Sequence, residues 1–469
     1  MKIILTGATG YIGKRLLPVL VENGHEVVCC VRDLKRFNIP QSLKLKVTAI
    51  EVDLSNPTSL SKIPQDIEAG YYLVHSMSKK DYLKTELDCA VNFRESLAKT
   101  NIKHLIYLSG IVNEKTLSKH LISRKNVEQE LSLGKYNFTS IRSGIIIGSG
   151  SASFEIIRDL VEKLPIMVAP KWLLTKSQPI AISDVIKILN NTLGNSKTFN
   201  KNFDIGGPEI ISYKDILIRY SNLRGLYRKV FIIPIMTPKL SSYWLYFVTS
   251  TAYNLAVSLV ESMKVEVVCR DKSLENILSL KTISYEKSLQ IAFRKIEANE
   301  IISSWKDALS SDYFNISDFI NVPKFGCVSD TRKEKFDNKQ DCVNRIWKIG
   351  GDNGWYYANW LWRFRGFLDK LIGGVGLRRG RTNKTKLISG DALDCWRVLY
   401  SNKEEGKLLL FAEMKLPGEA WLEFKIIDEE LIQTATFRPK GLLGRLYWYS
   451  VVPLHAIIFN GMIKKLSNG

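Results

Sequence analysis

The chain begins with a strand pattern, a glycine-rich turn and the start of a helix. Residues 3–5 form an apolar run typical of a buried parallel strand, and apolar residues at helical spacing follow at 16–21. Between them, Gly7, Gly10 and Gly13 remove side chains where the backbone must turn sharply and approach a ligand closely. The first turn of such a helix directs free N–H groups and a positive dipole at an anion. This arrangement predicts a dinucleotide site with the pyrophosphate at the helix N-terminus.

The spacing of these glycines carries a family resemblance, together with a second strand pattern at residues 26–32. The glycines follow Gly-x-x-Gly-x-x-Gly within Thr6-Gly-Ala-Thr-Gly-Tyr-Ile-Gly13, directly after a strand and before a helix. A lone glycine pattern also fits an ordinary strand-to-helix turn, but this context favours nucleotide binding. The chain resembles extended and atypical members of the short-chain dehydrogenase/reductase superfamily. The resemblance implies an α/β fold, a doubly wound parallel Rossmann sheet with a small substrate lobe, which binds NAD or NADP.

The end of the second predicted strand bears on the choice of cofactor. An acidic residue about 20 positions after the glycines commonly holds the ribose hydroxyls of NAD, whereas an arginine accommodates the 2′-phosphate of NADP. Arg32 occupies this place, Asp33 follows it, and Lys35 and Arg36 add positive charge. These residues predict NADP(H). Asp33 leaves NAD(H) open, and the alternative for all four is a set of solvated charges after a strand.

Two further strand patterns resemble cofactor-lining strands of the superfamily. Residues 50–54 resemble the third strand, and the resemblance implies that Asp53 contacts the adenine. Residues 71–76 resemble the fourth strand, which lines the cofactor with His75 and Ser76. A histidine after an apolar run is more often structural, so His75 is predicted as a pocket residue only. The cofactor-binding residues expected from these motifs are Gly7, Thr9, Gly10, Tyr11, Ile12, Gly13, Arg32, Asp53, Leu54, His75 and Ser76.

The middle of the first half bears on whether a bound cofactor would react. A fifth strand at residues 105–110 places Ser109 where orthodox family members carry their catalytic serine. Those members also use a Tyr-x-x-x-Lys pair, in which the lysine lowers the pKa of the tyrosine. Residues 118–128 contain no such pair, but His120 and Arg124 share one helical face there. Ser109, His120 and Arg124 are therefore the catalytic candidates, His120 as a proton donor and Arg124 as a phosphate or ribose ligand, and a plain packing helix is the alternative.

Later motifs extend the resemblance over about the first 220 residues. A sixth strand is expected at residues 139–148, a helix at 154–163, a short strand with a helix start at 178–185, and a closing strand at 203–209. Asp184 is expected to be a helix cap or structural contact. We assign residues 1–230 to the Rossmann domain and 231–320 to a helical substrate lobe or linker.

An uncharged run at residues 240–260, bracketed by Lys239 and Glu261, is long enough to span a bilayer. Serine, threonine and asparagine interrupt it, so a core helix or a helix facing an apolar ligand is the preferred interpretation. Peripheral membrane contact, aided by basic surface charge, is the alternative.

A different composition begins after residues 321–326. It includes an aromatic block at 350–363, a basic glycine-rich block at 373–381, strand patterns at 394–399, 407–415, 420–427 and 431–438, and a helix at 442–466. This order predicts an α+β helix-grip domain, START-like or SRPBCC-like, over residues 321–469. The two blocks resemble those of bacterial proteins that fuse an atypical nucleotide-binding domain to a C-terminal domain of unknown function. Four aromatic side chains could line a ligand cavity or belong to the core: Trp355, Tyr356, Trp360 and Trp362. Three arginines could bind an anionic ligand or lie in a solvated loop: Arg378, Arg379 and Arg381.

Composition and charge indicate which classes of binding partner to expect. The formal net charge of +20 attracts anions, but no helix-turn-helix, zinc-finger or RNA-binding signature accompanies it, so nucleic acid is not expected as a partner. Seven scattered cysteines show neither a disulfide framework nor metal-ligand spacing. These features, and an N-terminus that opens on the first strand, predict a cytoplasmic protein, with membrane association as an alternative. The sequence does not indicate an oligomeric state.

Two functional hypotheses follow. The first is an NADP(H)-dependent oxidoreductase that acts on an apolar small molecule held by the substrate lobe or the C-terminal domain. The second is a non-catalytic NAD(P)(H)-binding sensor or assembly factor, which the missing Tyr-x-x-x-Lys pair favours. The intact glycine turn and the added domain favour the first.

Overall fold

The computed structural model describes residues 1–34, 37, 41–75, 82–112, 119–233, 257, 260–261, 263–297, 322, 327–376, 381 and 386–469. It divides into two compact units, one of residues 1–249 and 253–313 and the other of residues 250–252 and 314–469. The predicted uncharged run at 240–260 lies almost entirely outside the described residues.

The first unit alternates strands and helices. In chain order its elements are β1 (Lys2–Thr6), α1 (Gly13–Glu22), β2 (Glu26–Val31), β3 (Val47–Glu51), β4 (Ala69–Tyr72), α2 (Tyr82–Leu97), β5 (His104–Gly110), α3 (Lys119–Leu131), β6 (Asn137–Ser143), β7 (Ile146–Ile147), α4 (Ala152–Lys163), β8 (Ile166–Pro170), β9 (Lys176–Ser177), β10 (Ile180–Ala181), α5 (Ile182–Thr192), β11 (Lys201–Ile205), β12 (Ile211–Ser212), α6 (Tyr213–Leu223), β13 (Lys229–Ile233), α7 (Ser273–Ile277) and α8 (Tyr285–Glu297).

Seven of these strands form one parallel sheet in the order β11-β6-β5-β4-β1-β2-β3. The predicted doubly wound Rossmann-like sheet is therefore confirmed. The strand order reverses between β1 and β4, and ligands of such sheets bind in the crevice at the carboxyl ends of the strands beside this point. Thr6 links the ends of β1 and β4 at this point, because its hydroxyl donates to Tyr71 O at 3.1 Å and accepts from Leu73 N at 3.2 Å.

Alternation along β1 explains the three layers. Ile3 and Leu5 pack on one face with α1 and α5, whereas Ile4 packs on the other face with Phe93 of α2 and Leu131 of α3. Successive strand residues point to opposite faces, so a strand that is apolar throughout must be covered on both sides. A third apolar cluster, built from α4, α6 and α8 around Phe154 and Tyr220, forms beside the short strand pairs β8–β13, β7–β10 and β9–β12.

The second unit is built on an antiparallel sheet. Its elements are β14 (Val328–Lys335), α9 (Lys339–Ile346), α10 (Asn359–Leu371), β15 (Ala392–Leu393), β16 (Trp396–Asn402), β17 (Lys407–Ala412), β18 (Gly418–Ile427), β19 (Glu430–Pro439) and α11 (Gly441–Asn468). The sheet order is β14-β19-β18-β17-β16-β15. Its inner face packs against α9 and the C-terminal half of α11, including Ile346, Phe459 and Met462.

Several predicted element boundaries are wrong. The sixth strand of the first unit is broken after Ser143, and the strands predicted at 50–54 and 71–76 end at Glu51 and Tyr72. Two further elements were not predicted: Val328–Lys335 form the strand β14, and Asn359–Leu371, which overlap the end of the aromatic block, form the helix α10. Asp184 is a structural contact, as one alternative predicted, because its carboxylate accepts from Ile283 N at 2.8 Å.

Candidate nucleotide site

The glycine turn between β1 and α1 leaves no room for side chains. Gly7 has φ +69°, and a Cβ there would lie 2.7 Å from Leu73 O. A Cβ on Gly13 would lie 2.3 Å from Gly7 O, which is far inside van der Waals contact. Gly10 N donates to Gly7 O at 2.9 Å and so tightens the turn. The close backbone approaches in this turn thus require glycine. As a result, the turn presents backbone without side chains at the carboxyl edge of the sheet.

The N-terminus of α1 carries no side-chain cap, and its cap residue, Ile12, is in the right-handed helical region. Lys14 N donates to Gly10 O at 3.1 Å and Arg15 N donates to Ile12 O at 3.0 Å, so the backbone satisfies these two donors. The positive end of the helix dipole attracts anions. A phosphate would therefore take the place of a cap, which fits a dinucleotide pyrophosphate.

Tyr11 and Arg15 support the turn from behind. The Arg15 guanidinium stacks over the Tyr11 ring at 4.0 Å and donates to Ser149 O at 2.9 Å, so it ties the turn to the loop before α4. Burial raises the pKa of the Tyr11 phenol to about 12, although Arg15 opposes this shift. Tyr11 is consequently a poor proton donor. Thr9 and Ile12, the other two predicted residues of the turn, are half-buried.

The predicted adenosine-side residues follow β2 and β3. Arg32 is exposed one residue after β2 and Asp33 is half-buried, while Lys35 and Arg36 lie outside the described residues. Asp53 is exposed after β3, and its carboxylate accepts from Ser55 N at 2.9 Å.

Leu54, which is also predicted to contact the cofactor, has its side chain in the core. Its side chain is 7 % exposed and packs in the core on the α2 face of the sheet. Its carbonyl accepts from Asn92 at 3.0 Å, so Leu54 contributes packing at this end of the sheet.

Two histidines that are 45 positions apart in sequence meet beyond β4 and β5. His75 follows β4, His120 lies in the first turn of α3, and their Nε2 atoms are 2.9 Å apart. Burial lowers the pKa of His120 well below its usual range, and His75 and Arg124 lower it further. His120 Nδ1 is buried and has no hydrogen-bond partner among the described residues. The predicted pocket histidine and the predicted catalytic histidine therefore form one unit.

Glu86 of α2 completes this unit, and the sequence analysis missed it. His75 Nδ1 lies 2.6 Å from Glu86 Oε1, and the Ser123 hydroxyl donates to Glu86 Oε2. Burial tends to raise the pKa of this carboxyl, but His75, Arg124 and Ser123 outweigh it and lower the pKa to about 2. Glu86 is therefore a buried carboxylate that fixes a proton on His75 Nδ1. The sequence around Glu86 does not indicate a site residue, since most glutamates in helices are exposed to solvent.

Ser109 and Arg124 lie beside the histidines at the end of β5. Arg124 donates to Leu108 O at 2.9 Å, and its guanidinium lowers the pKa of Tyr107, which burial raises. Ser109 is 3 % exposed; its hydroxyl also lowers the Tyr107 pKa but makes no hydrogen bond of good geometry with a described residue. The sheet thus brings all three catalytic candidates to the edge that carries the glycine turn. Ser76 lies outside the described residues.

The aromatic block of the second unit is mainly core. Trp355 is 2 % exposed, stacks on Trp362 with ring centroids 4.9 Å apart, and donates from Nε1 to Asp394 at 2.9 Å. Tyr356 is half-buried and Trp360 is 68 % exposed. These side chains therefore divide between core and surface. Of the three arginines singled out in the basic block only Arg381 is described, and it donates to Ile349 O at 2.7 Å.

Comparison with protein families finds two matches. A family described as NAD(P)H-binding matches residues 7–152, which contain the glycine turn and the histidine pair. A family described as a protein of unknown function, DUF2867, matches residues 328–462 of the second unit. The first unit therefore contains an NAD(P)-binding domain that is similar to atypical short-chain dehydrogenases/reductases.

Curated relatives match the first half of the chain. Photosystem II assembly factor Ycf39 of Trieres chinensis is 26% identical over 245 residues, which are 52% of this chain and 75% of the relative. The chloroplastic divinyl chlorophyllide a 8-vinyl-reductase of Arabidopsis thaliana is 21% identical over 226 residues, 44% of this chain and 54% of the relative. The similar proteins thus include an assembly factor and a reductase.

Solved structures share the fold of the first unit. A triphenylmethane reductase from Citrobacter sp., complexed with NADP(H), aligns with a TM-score of 0.51 at 14% identity and covers 62% of this chain and 100% of its own. A nucleoside-diphosphate-sugar epimerase from Staphylococcus aureus aligns with the same TM-score at 13% identity and the same coverage. These likenesses support the Rossmann fold.

Proposed function

We propose that the chain is an NADP(H)-dependent oxidoreductase that acts on an apolar small molecule. The observation that carries this proposal is the Glu86–His75–His120 unit at the carboxyl edge of the sheet, beside the glycine turn. A protein that only held a nucleotide would need the turn, but not a buried carboxylate and two linked imidazoles. Strongly shifted pKa values cluster at functional sites, and here they accompany a specific geometry of three linked side chains.

The residues present fit an NADP(H) cofactor. The bare turn and the uncapped N-terminus of α1 would hold the pyrophosphate, and Arg32 would accept the 2′-phosphate. When bound, the cofactor supplies or accepts a hydride.

His120 is the proposed proton donor. Because Glu86 is ionised, it holds a proton on His75 Nδ1. When His75 is protonated on both nitrogens, its Nε2–H donates to Nε2 of His120. A neutral His120 that accepts this hydrogen bond carries its own proton on Nδ1, the atom without a partner among the described residues. A proton that leaves Nδ1 is replaced at Nε2 by the proton from His75. His120 stays neutral throughout, as its lowered pKa favours, and the charge change falls on His75 beside a carboxylate.

This arrangement substitutes for the missing Tyr-x-x-x-Lys pair. In that pair a lysine lowers the pKa of the donor, whereas here a carboxylate orients and charges the neighbouring imidazole. Arg124 and Ser109 flank the pair, and they are the proposed contacts for a substrate oxygen or the cofactor ribose.

The second unit is proposed to be a START-like helix-grip domain. An antiparallel sheet whose inner face packs on the C-terminal half of a long final helix supports this assignment. Such a domain suits an apolar ligand. The divinyl chlorophyllide a 8-vinyl-reductase among the similar proteins supports a reductase activity.

A hydride-transfer screen tests the proposal. The full-length protein would be incubated with NADPH or NADH and a panel of quinones and hydrophobic carbonyl compounds, and loss of reduced-nicotinamide absorbance followed. We expect turnover with at least one panel member and with NADPH preferred. NADPH binding without oxidation by any member would contradict the enzyme assignment.

A non-catalytic assembly factor is the second candidate. The Ycf39 relatives and the absent Tyr-x-x-x-Lys pair support it. Under this candidate, His120→Gln would leave every measurable property except stability unchanged. Under the enzyme proposal it removes turnover and leaves NADPH binding intact.

A further inference from the structure

One face of α10 is apolar and exposed. Trp360, Phe364, Phe367 and Leu371 are 68 %, 56 %, 54 % and 55 % exposed and follow helical spacing along a single stripe. The opposite face of the same helix already packs into the core through residues such as Trp362. The helix is therefore apolar on two sides, and the core uses only one of them.

The first half of α11 repeats this feature. Leu442, Leu446, Tyr449 and Ile457 are 74 %, 58 %, 70 % and 57 % exposed. The two helices are joined where Arg365 donates to the Tyr447 hydroxyl at 2.6 Å. The exposed side chains of both helices, called the α10–α11 surface below, are Trp360, Phe364, Phe367, Leu368, Leu371, Ile372, Leu442, Leu443, Leu446, Tyr449, Val452, Leu454 and Ile457. Monomeric soluble proteins rarely expose large contiguous apolar patches without a functional reason.

The exposed charged side chains of the two exposed helix segments have one sign. Arg363, Lys440 and Arg445 are exposed on or next to the two helices, and α11 contains no acidic residue. The one acidic residue of α10, Asp369, is 5 % exposed and accepts from Gly376 N and Lys415 N, each at 2.8 Å. An apolar stripe with aromatic and basic side chains fits the interface of an anionic bilayer. A second copy of the same surface would instead oppose cation to cation.

The geometry of α11 favours a helix that lies on a bilayer over one that crosses it. Among the described residues, α11 is the one helix long and apolar enough to span a membrane, and 17% of its apolar window is buried. Its last eleven residues, 458–468, however, pack in the core through Ile458, Met462 and Leu466, and Arg345 donates to Leu466 O at 2.8 Å. The preceding part, residues 441–457, packs on the sheet along one side through Gly444 and Trp448 and is exposed on the other. At about 1.5 Å per residue it is about 25 Å long, shorter than the hydrocarbon core of about 30 Å.

We propose that the α10–α11 surface inserts into the interface of an anionic lipid bilayer, so that the second unit binds membranes peripherally. The apolar side chains enter the boundary between headgroups and acyl chains, and the flanking arginines and lysines contact anionic headgroups. An apolar substrate dissolved in the bilayer would then be concentrated next to the protein.

Vesicle co-sedimentation of the full-length protein tests this proposal. The vesicles contain phosphatidylcholine alone or with about a third phosphatidylglycerol. We expect binding to the anionic vesicles to be at least about tenfold stronger and to weaken with salt. A triple variant, Phe364→Ser with Leu446→Ser and Tyr449→Ser, should lose at least about tenfold in vesicle affinity.

The matched control carries Leu133→Ser, Ile166→Ser and Tyr227→Ser, three equally exposed apolar side chains of the first unit. It should bind vesicles like the parent chain, and near-ultraviolet circular dichroism verifies that both variants are folded. Because misfolding could mimic the loss, quenching of tryptophan fluorescence by brominated lipid gives a second readout, which should fall when Trp360 is replaced by phenylalanine. Equal vesicle binding by parent and triple variant would overturn the proposal. So would a change confined to the oligomeric state, which would identify a protein interface, or resistance to alkaline carbonate extraction, which would identify a membrane span.

Discussion

His75 and His120 share a hydrogen bond between their Nε2 atoms at 2.9 Å, although 45 positions separate them in the chain. The sequence predicts His75 as a pocket residue and His120 as a proton donor, but it does not indicate that the two rings meet. Together with Glu86 they form a chain of proton sites that ends at a buried nitrogen of His120.

Replacement of Glu86 by glutamine should slow turnover without loss of cofactor binding. The carboxylate stabilises the charged form of His75, so its removal should lower kcat about 10- to 100-fold and shift the pH at which activity is lost downward. The pH profile of kcat checks this, with Asp88→Asn, an exposed site on the same helix, as the matched control. An unchanged profile in the Glu86→Gln variant would remove this residue from the mechanism.

A methyl group on Gly13 should disrupt the nucleotide site. The added Cβ would lie 2.3 Å from Gly7 O, so the turn must deform, and we expect NADPH affinity to fall at least about 100-fold with loss of stability. Gly10→Ala is the milder comparison, because its Cβ would lie 3.1 Å from the same atom. Calorimetric titration and thermal unfolding measure both effects. Equal NADPH affinity in both variants would mean that the pyrophosphate binds elsewhere.

The charge at residue 32 should set the cofactor preference. Arg32→Asp should weaken NADPH binding about tenfold or more and leave NADH binding similar or stronger, since the 2′-phosphate then meets a carboxylate. Lys46→Asp makes the same charge change just before β3, at the opposite edge of the sheet, and should not alter the preference. Full NADPH preference in the Arg32→Asp variant would refute the assignment.

Acid should destabilise the first unit through His104. This histidine is 2 % exposed, its ring nitrogens contact Thr139 and Gly194 N, and burial lowers its pKa to about 4. A lowered pKa means that stabilisation is complete above the unfolded value near 6.5 and is lost as pH falls towards 4, by up to about 3 kcal/mol. Hydrogen exchange of β5 amides should show this slope, and His104→Gln should flatten it. A slope that is identical in the variant would assign the acid sensitivity to other groups.

The sequence predicts best those features that depend on residues close together in the chain. The turn at Gly7, Gly10 and Gly13 needs only its own backbone to be recognised, and the parallel sheet follows from repeated apolar strands. Glu86 could not be found this way, because its role depends on His75, which reaches it only after α2 packs beside β4. The same holds for the buried pairing of two distant histidines.

Strand β14 escaped prediction for a related reason. It is an edge strand in which half-buried and exposed residues alternate, and the half-buried Arg332 is neutralised by Asp330 at 2.9 Å. Charged residues are common on edge strands, where they oppose aggregation, so the apolar alternation that marks inner strands is missing. The exposed stripe of α10 was equally hidden, since an aromatic helix face in a sequence is first read as core.

Turnover of the His120→Gln variant tests the account most directly. The rate of NADPH oxidation would be measured with the most active hydrophobic carbonyl compound of the panel, next to NADPH affinity, and His25→Gln would serve as a histidine control remote from the site. The account predicts that kcat falls by about two to four orders of magnitude, while the NADPH dissociation constant stays within about twofold. Parent-like turnover in the His120→Gln variant would contradict it.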